Sequence, residues 1–382
     1  MCNEQEDRLA HQTTRTIPVE QAIGMVLAHD VTEIRKDEFK GRAFKKGHVI
    51  RSEDISRLQQ IGKEHLFVLT LKDDEMHEDE AAMTLAQALM GDGVAMQGAP
   101  REGKVNLIAE KDGLLQIDRE ALLEFNMMGE VLCSTLHDHT VVGKGQVIAA
   151  TKAVPLVVKR AIVDEAVSIA HRVRSSGSRS IVNVREMRKP KAGVVVTGNE
   201  VYHGRIKDSF APVIAKKIEA LGGEIVGTYF APDDRDFIQK RLRELLDAGA
   251  DLLITTGGMS VDPDDVTRFA IEGVGATDIT YGSPVLPGAM VLVGYLSIAD
   301  FGLRNAELKK SNMSDTPEKS AMIPILGIPA CGMYHKTTIV DLLLPRLLAG
   351  EKIGRRELAE LGHGGLCLHC KECAYPVCPF GK

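Results

Sequence analysis

Between residues 191 and 350 the hydrophobic positions alternate between short unbroken runs and spaced helical stripes. Ala192-Gly193-Val194-Val195-Val196 is a continuous apolar run, as is Leu252-Leu253-Ile254, and 323–328 is a third. A strand buried on both faces reads this way, because neither face needs polar residues. Between the runs, 212–221 has helical spacing and stops at Gly222-Gly223, 224–230 reads as a strand, and 235–248 is an amphipathic helix ended by Gly249. Helices are also predicted over 263–272 and within 329–348. Strands alternating with helices of this length imply βαβ units. The fold class expected is therefore α/β, a three-layer α/β/α arrangement on a mostly parallel sheet. Ligands of such sheets bind beyond the carboxyl ends of the strands.

The rest of the chain has other rhythms. Residues 1–97 read as an N-terminal α+β region, with a strand and helical turn over 17–27, a basic loop over 41–49, a helix opening at Ser52, a strand over 67–71 and a helix over 79–90. Residues 98–158 are β-rich, with short strands over 105–109, 113–117, 131–133 and 147–150, a spacing that suggests a small barrel or sandwich. Residues 159–190 read as a helical connector with a joint at Ser175-Ser176-Gly177-Ser178. The α/β domain is placed at 191–350, interrupted by a polar insertion loop over 297–321, and a Cys-rich metal-binding tail at 351–382.

Composition narrows the picture further. The chain has 382 residues, 44% of them hydrophobic, no Trp and few aromatics, so aliphatic side chains must fill the cores. The net charge of −6 argues against a nucleic-acid partner, which needs a basic face. The polar, acidic start Met1-Cys2-Asn3-Glu4 has no signal-peptide pattern, and no apolar run is long enough to span a bilayer. A cytoplasmic location without membrane contact is expected.

Five strand-end loops carry the candidate chemistry. Thr197-Gly198-Asn199-Glu200 follows the first buried strand and sets a carboxylate at the ligand edge. Pro232-Asp233-Asp234 offers two carboxylates that can cap the next helix or hold Mg²⁺. Thr256-Gly257-Gly258-Met259-Ser260-Val261-Asp262-Pro263-Asp264-Asp265 runs from a buried strand through glycines and hydroxyls to a helix start. Such a start favours phosphate, and its three carboxylates call for a bridging cation. The rigid loops Pro284-Val285-Leu286-Pro287-Gly288 and Gly327-Ile328-Pro329-Ala330-Cys331 complete the set.

In this order and spacing the five loops resemble the molybdopterin-binding domain of the gephyrin E-domain (MoeA-type) molybdotransferases and their smaller adenylyltransferase relatives. The resemblance is strongest over 193–329, and Thr255-Thr256-Gly257-Gly258-Met259-Ser260-Val261 is its most specific part. Residues 13–49 are also similar to the opening of the larger enzymes. The resemblance implies Mg²⁺-dependent removal of AMP from adenylylated molybdopterin and placement of molybdenum, from molybdate, on the dithiolene. It gives Glu200, Asp234 and Asp265 the catalytic positions, and Gly257, Gly258 and Ser260 the pterin phosphate. Thr197, Gly198, Asn199, Thr256 and Asp262 join the pterin-binding set, with Pro287, Gly288 and Pro329 from the rigid loops. It also implies a homodimer. This chain departs from the pattern at Asp262, where the family has Gly, in the 283–288 loop, which has neither family Lys, and at Ala330-Cys331. The N-terminal signature Asp is not visible; Gly41-Arg42-Ala43-Phe44 stands near its place. Three readings follow: a molybdenum insertase; a non-catalytic carrier or sensor of molybdenum cofactor that docks on a molybdoenzyme; and a nucleotide-processing relative of the same domain, as in the competence-damage-inducible family, which usually adds an amidase domain for which no segment here is a candidate.

The tail is independent of this. Cys367, Cys370, Cys373 and Cys378 place four thiols close together, a pattern suited to Zn²⁺ or an iron–sulfur cluster. His363 and His369 are substitute ligands of lower rank.

Overall fold

The structure, a computed structural model, describes residues 15–35, 39–69, 71–175, 180–259, 265–298 and 322–382. The chain packs as two compact units. The first runs to Lys111 and takes in Leu115–Leu136 and Val142–Val184; the second combines Asp112–Leu114, His137–Val141 and Arg185–Lys382.

In the first unit, α1 (Glu78–Leu89) precedes β1 (Val94–Arg101), β2 (Lys104–Ala109), β3 (Val131–Thr135) and β4 (Val147–Ala153), and α2 (Arg160–Ser175) follows. The four strands form one antiparallel sheet in the order β3-β4-β2-β1. A barrel or sandwich was the expectation here; the structure shows this four-stranded sheet sharing one core with two helices and with Leu115, Ile117 and Val182 of a second, three-stranded sheet. In β2, Val105, Leu107 and Ala109 alternate inward while Lys104, Asn106 and Ile108 are more exposed, so one face needs a cover. Leu85 and Leu89 of α1 and Val163, Ala166 and Ile169 of α2 provide it, within one core. The connector helix thus contributes to packing. Nearer the N-terminus, Arg15–Pro18, Val26–Leu27 and His65–Leu69 form a small sheet. The stretch expected as a basic loop begins instead as a strand, Phe39–Phe44, paired antiparallel with Val31–Arg35.

The second unit is the three-layer α/β/α fold. Its elements are β5 (Lys191–Thr197), α3 (Asn199–Tyr202), α4 (Phe210–Ala220), β6 (Glu224–Ala231), α5 (Arg235–Asp247), β7 (Leu252–Thr256), α6 (Thr267–Gly273), β8 (Thr277–Tyr281), β9 (Leu292–Ser297), β10 (Met322–Ile328), α7 (Cys331–Tyr334), α8 (Ile339–Leu348) and α9 (Arg355–Glu360). The sheet order is β6-β5-β7-β10-β9-β8. β6, β5, β7 and β10 are parallel, and β9 alone runs against its neighbours. Successive residues of the buried runs face opposite layers. Val194, Val196, Leu252 and Ile254 pack with α4 and α8, whereas Val195 and Leu253 pack with α5 and α6. Unbroken apolar runs follow from this, since both faces are covered. The chain turns outward from β5 to β6 and then crosses to β7, so the topological switch point lies between β5 and β7. Most of the expected insertion loop, 299–321, the joint at 176–179 and the segment 260–264 lie outside the described residues.

Candidate functional site at the carboxyl edge of the sheet

The register brings all five candidate loops to one edge. Val196 stands beside Thr256, and Thr256 beside Ile328. Thr197 stands beside Ala231, and Leu292 beside both Gly327 and Tyr281. The antiparallel β9 starts where β10 ends, which delivers the 282–291 loop to the same side as the parallel strand ends.

At the switch point the geometry is set by two glycines and three threonines. Gly257 and Gly258 both have positive φ, +86° and +57°. A Cβ on Gly257 would stand 2.7 Å from the Thr197 carbonyl oxygen, and one on Gly258 would collide with Thr267 Oγ1. Only glycine fits this backbone without strain. Thr197 Oγ1 donates to the Thr256 carbonyl at 3.0 Å and shares a 3.0 Å hydrogen bond with Thr267 Oγ1. These bonds join the ends of β5 and β7 to the start of α6. Thr256 Oγ1 is buried beside them and has no hydrogen-bond partner among the described residues. Ser260 and Asp262 lie outside the described residues, while Asp265 is half-buried ahead of α6.

The acidic pair divides its labour. Asp234 caps α5, its Oδ1 accepting the Phe237 N–H at 2.7 Å. Asp233 instead accepts the Asn199 N–H at 3.0 Å, and Asn199 Oδ1 accepts the Asp233 N–H at 3.3 Å. The loops after β5 and β6 are therefore tied through Asp233, which motif matching had left in favour of its neighbour. The adjacent pair carried a partial signal: one of two carboxylates is enough to cap a helix, which leaves a second role to the other without saying which is which. Glu200 is exposed and leans back over Gly198, where a Cβ would stand 2.7 Å from Oε1. Glu200 and the Asp233–Asn199 pair stand together at the switch point.

The second half of the edge is held from further along the chain. Pro287 accepts the Ile339 N–H at 3.2 Å, which ties its loop to the start of α8. Burial pushes the Cys331 thiol up, against backbone hydrogen bonds that include one from Gly288. Cys331 thus links the Pro287–Gly288 loop to the Pro329 loop, where the Pro329 carbonyl accepts the Gly332 N–H at 2.9 Å. Arg355 donates to the Tyr281 carbonyl at 2.7 Å and the Gly282 carbonyl at 3.1 Å. The tail then pairs with the loop: Leu286 N–H donates to the Gly365 carbonyl at 2.8 Å, and Cys367 N–H to the Leu286 carbonyl at 2.9 Å. Sequence reasoning missed Thr267, Tyr281, Arg355 and this pairing, all of which are contacts across long stretches of chain.

The four tail thiols, Cys367, Cys370, Cys373 and Cys378, border one cavity of about 250 Å³, with His335 and His369 on its wall. All described cysteines are free thiols. The Thr337 hydroxyl, 3.1 Å from Cys373 Sγ, and the Tyr375 N–H hold the Cys373 thiol below its ordinary range. The expected ready-made metal arrangement is not found: among the described residues no three Cys, His, Asp or Glu side chains are already set to hold an ion.

A three-layer α/β/α sheet of this kind offers a ligand crevice beyond the carboxyl ends of its strands, at the switch point where the Gly257-Gly258 turn stands. Residues 193–349 match the family described as probable molybdopterin binding domain. Residues 16–70 match a domain of unknown function. A CinA-like protein of Mycobacterium avium is 42% identical over 77 residues, 20% of this chain and 18% of the relative. A CinA-like protein of Mycobacterium tuberculosis is 38% identical over a segment of the same length. The chain thus spans about a fifth of the length of these relatives. Among solved structures, the tungsten cofactor synthesizing protein MoaB from Pyrococcus furiosus is 18% identical. The match covers 41% of this chain and 90% of that one, with a TM-score of 0.28. The molybdopterin biosynthesis MoeA protein from Pyrococcus horikosii is 16% identical, covering 91% of this chain and 76% of that one, with a TM-score of 0.29. Among the described residues no helix is long and apolar enough to cross a membrane.

Proposed function

We propose that the edge formed by β5, β7 and β10 binds molybdopterin or its adenylylated form, and that the chain uses Mg²⁺ and molybdate there to insert molybdenum. The observation that carries this reading is the Thr256-Gly257-Gly258 turn. Its glycines let the backbone approach a ligand closely, and a buried Thr256 hydroxyl with no hydrogen-bond partner among the described residues stands at the same point. Buried hydroxyls are normally hydrogen-bonded, and a phosphate or pterin oxygen would satisfy this one. Glu200 and Asp265 would supply carboxylates to a Mg²⁺, which takes few protein oxygens beside phosphate and water. Water attacks the phosphoanhydride of the adenylylated pterin, AMP leaves, and the pterin phosphate stays in the turn. A homodimer and a recipient molybdoenzyme go with this reading.

A second reading is favoured by a specific observation. Asp234, one of the three family acidic positions, is engaged as the α5 cap, and the 283–288 loop has no Lys to contact the substrate. A carrier or sensor of the cofactor needs the turn but not the full acidic set. Incubation with adenylylated molybdopterin, Mg²⁺ and molybdate separates the two. AMP release that depends on Mg²⁺ is the result expected of the insertase. Tight pterin binding with no AMP would leave the carrier, and no binding at all would end both readings.

A further inference from the structure

The tail from Leu368 to Pro379 contains no helix or strand, and most of its side chains are exposed. Its packing rests on few anchors: Tyr375 and Cys378 against the core of the second unit, with Cys367 and Phe380 at either end, and the Tyr375 hydroxyl, which donates to the Asp341 carbonyl at 3.2 Å. A segment with so little apolar burial needs another source of order, and in short segments of this kind a bound metal is a common one.

Four thiols in this segment border a single cavity, and none is used in a disulfide. The spacing divides them into two pairs, Cys367-x2-Cys370 and Cys373-x4-Cys378. Both spacings fall within the two to four residues that separate paired ligands in tetrahedral four-thiolate zinc sites. The Thr337 hydroxyl, 3.1 Å from Cys373 Sγ, is placed to donate to a thiolate, the role an outer-shell partner plays at a metal centre. Cys370 and Cys373 are exposed. An iron–sulfur cluster there would stand open to oxygen, whereas zinc has no redox chemistry to protect. The sulfurs must draw inward to reach Zn–S bonds of about 2.3 Å. Between Cys367 and Cys370 the chain turns at exposed His369, whose φ of +51° is unusual for a residue with a side chain.

We propose that this cavity is a site for one thiophilic divalent cation of the zinc type, ligated by Cys367, Cys370, Cys373 and Cys378, and that filling it clamps the Leu286-Pro287-Gly288 loop. The clamp follows from connectivity. Cys367 N–H donates to the Leu286 carbonyl, and Leu286 N–H donates to the Gly365 carbonyl. A ligand residue fixed by metal therefore fixes the loop it is paired with. The metal site stands without the pterin reading; its effect on ligand binding rests on that reading.

The test begins with metal analysis of the full chain after exposure to Zn²⁺ and removal of excess. About one zinc per chain is expected, and Co²⁺ in its place should give the intense visible bands of a tetrahedral thiolate site. Cys370→Ser and Cys378→Ser should each lower retained zinc, with folding checked by circular dichroism. A wild-type chain that retains no stoichiometric zinc or cobalt overturns the site. A brown chromophore with iron and sulfide overturns the single-ion assignment, and unchanged zinc in both variants overturns the ligand set. If the variants do not fold, chelation of the wild-type protein serves instead. Cleavage by protease within 367–379 should then rise about tenfold, and an unchanged cleavage rate counts against the proposal. Chelation should also weaken molybdopterin binding about fivefold, the low end of ordinary coupling between sites. Unchanged binding overturns the clamp, whereas a chain that binds zinc but never binds pterin retires the proposed function and leaves the metal site standing.

Discussion

The two halves of the ligand edge are built in different ways. The half at β5 and β7 is fixed by residues close to the strand ends: Gly257 and Gly258 adopt backbone that only glycine takes easily, and Thr197 hydrogen-bonds directly across to β7 and α6. The half at Pro287 and Pro329 is fixed by distant chain, through Ile339 of α8, Arg355 of α9, and Gly365 and Cys367 of the tail. The difference separates what a site needs in order to exist from what sets its shape. Local conformational demand makes the first half intolerant of substitution, and remote packing leaves the second half open to adjustment by whatever orders the tail.

The comparison can be broken most forcefully at the glycines. Gly258→Val places a branched side chain at φ +57° and against Thr267 Oγ1. A loss of about 4 kcal/mol in unfolding free energy is expected, the upper range for a single change that combines backbone strain with a clash. Denaturant unfolding of the full chain measures it, and a loss below about 1 kcal/mol would show that the turn relaxes easily. In the second half the corresponding change is Phe380→Ala. Phe380 is 3% exposed and packs in the α4–α8 layer. Its truncation should cost about 3 kcal/mol, but as loosening of the tail rather than of the sheet. Hydrogen exchange should rise in 361–382 while β5 and β7 stay protected. Equal loss of protection in both regions would erase the distinction between the halves.

Acid should also separate the halves. Just after α8, burial pushes the Glu351 carboxyl up, but hydrogen bonds from His139 and Arg346 outweigh burial and leave it at about 2. The hydrogen bonds are 3.1 Å from His139 Nε2 and 2.7 Å from Arg346 Nε. A carboxyl depressed in the folded state stabilises above its ordinary pKa of 4.5 and loses that contribution as pH falls from 4.5 through about 2. Wild type should therefore lose about 2 kcal/mol more than Glu351→Gln across that window. Unfolding free energies at several pH values check it, and parallel curves would remove Glu351 from the account of acid sensitivity.

The sequence was most legible where one local demand had one solution. The runs at Val194-Val195-Val196 and Leu252-Leu253-Ile254 fixed the strands of a parallel sheet, because only a strand covered on both faces reads as unbroken apolar sequence. The Gly257-Gly258 pair gave its turn for the same reason. Legibility failed where a segment's partner lies far away in sequence. The helices that cover the sheet of β1–β4 leave no mark in the β-rich stretch, whose spacing suggests a barrel or sandwich, because Leu85 and Ile169 sit in helices on either side of it. The pairing of Leu286 with Gly365 and Cys367 joins exposed, irregular segments that carry no periodic pattern. Asp233 and Asp234 mark the boundary: chemistry identified the pair, and only the fold said which carboxylate faces the edge.

That division yields the smallest and most discriminating prediction. Asp234→Ala removes the cap of α5 and should cost about 1 kcal/mol of stability, with pterin binding changed by less than about twofold if capping is its whole role. Asp234→Asn keeps an acceptor for the Phe237 N–H and should restore most of the loss. Asp233→Ala should do the reverse. Its carboxylate does not cap α5 and serves the one-turn α3, so stability should fall by less than about 1 kcal/mol. The Asn199 N–H loses its acceptor, however, and the loop carrying Glu200 is released. Pterin binding should then weaken by about tenfold, the equivalent of one charge-assisted hydrogen bond. Measuring both quantities on both variants crosses the two roles. If Asp234→Ala instead abolishes binding while Asp233→Ala leaves it intact, the carboxylate at the end of α5 serves ligand as well as helix. The family assignment of residue 234 to the reaction then regains its force against the carrier reading.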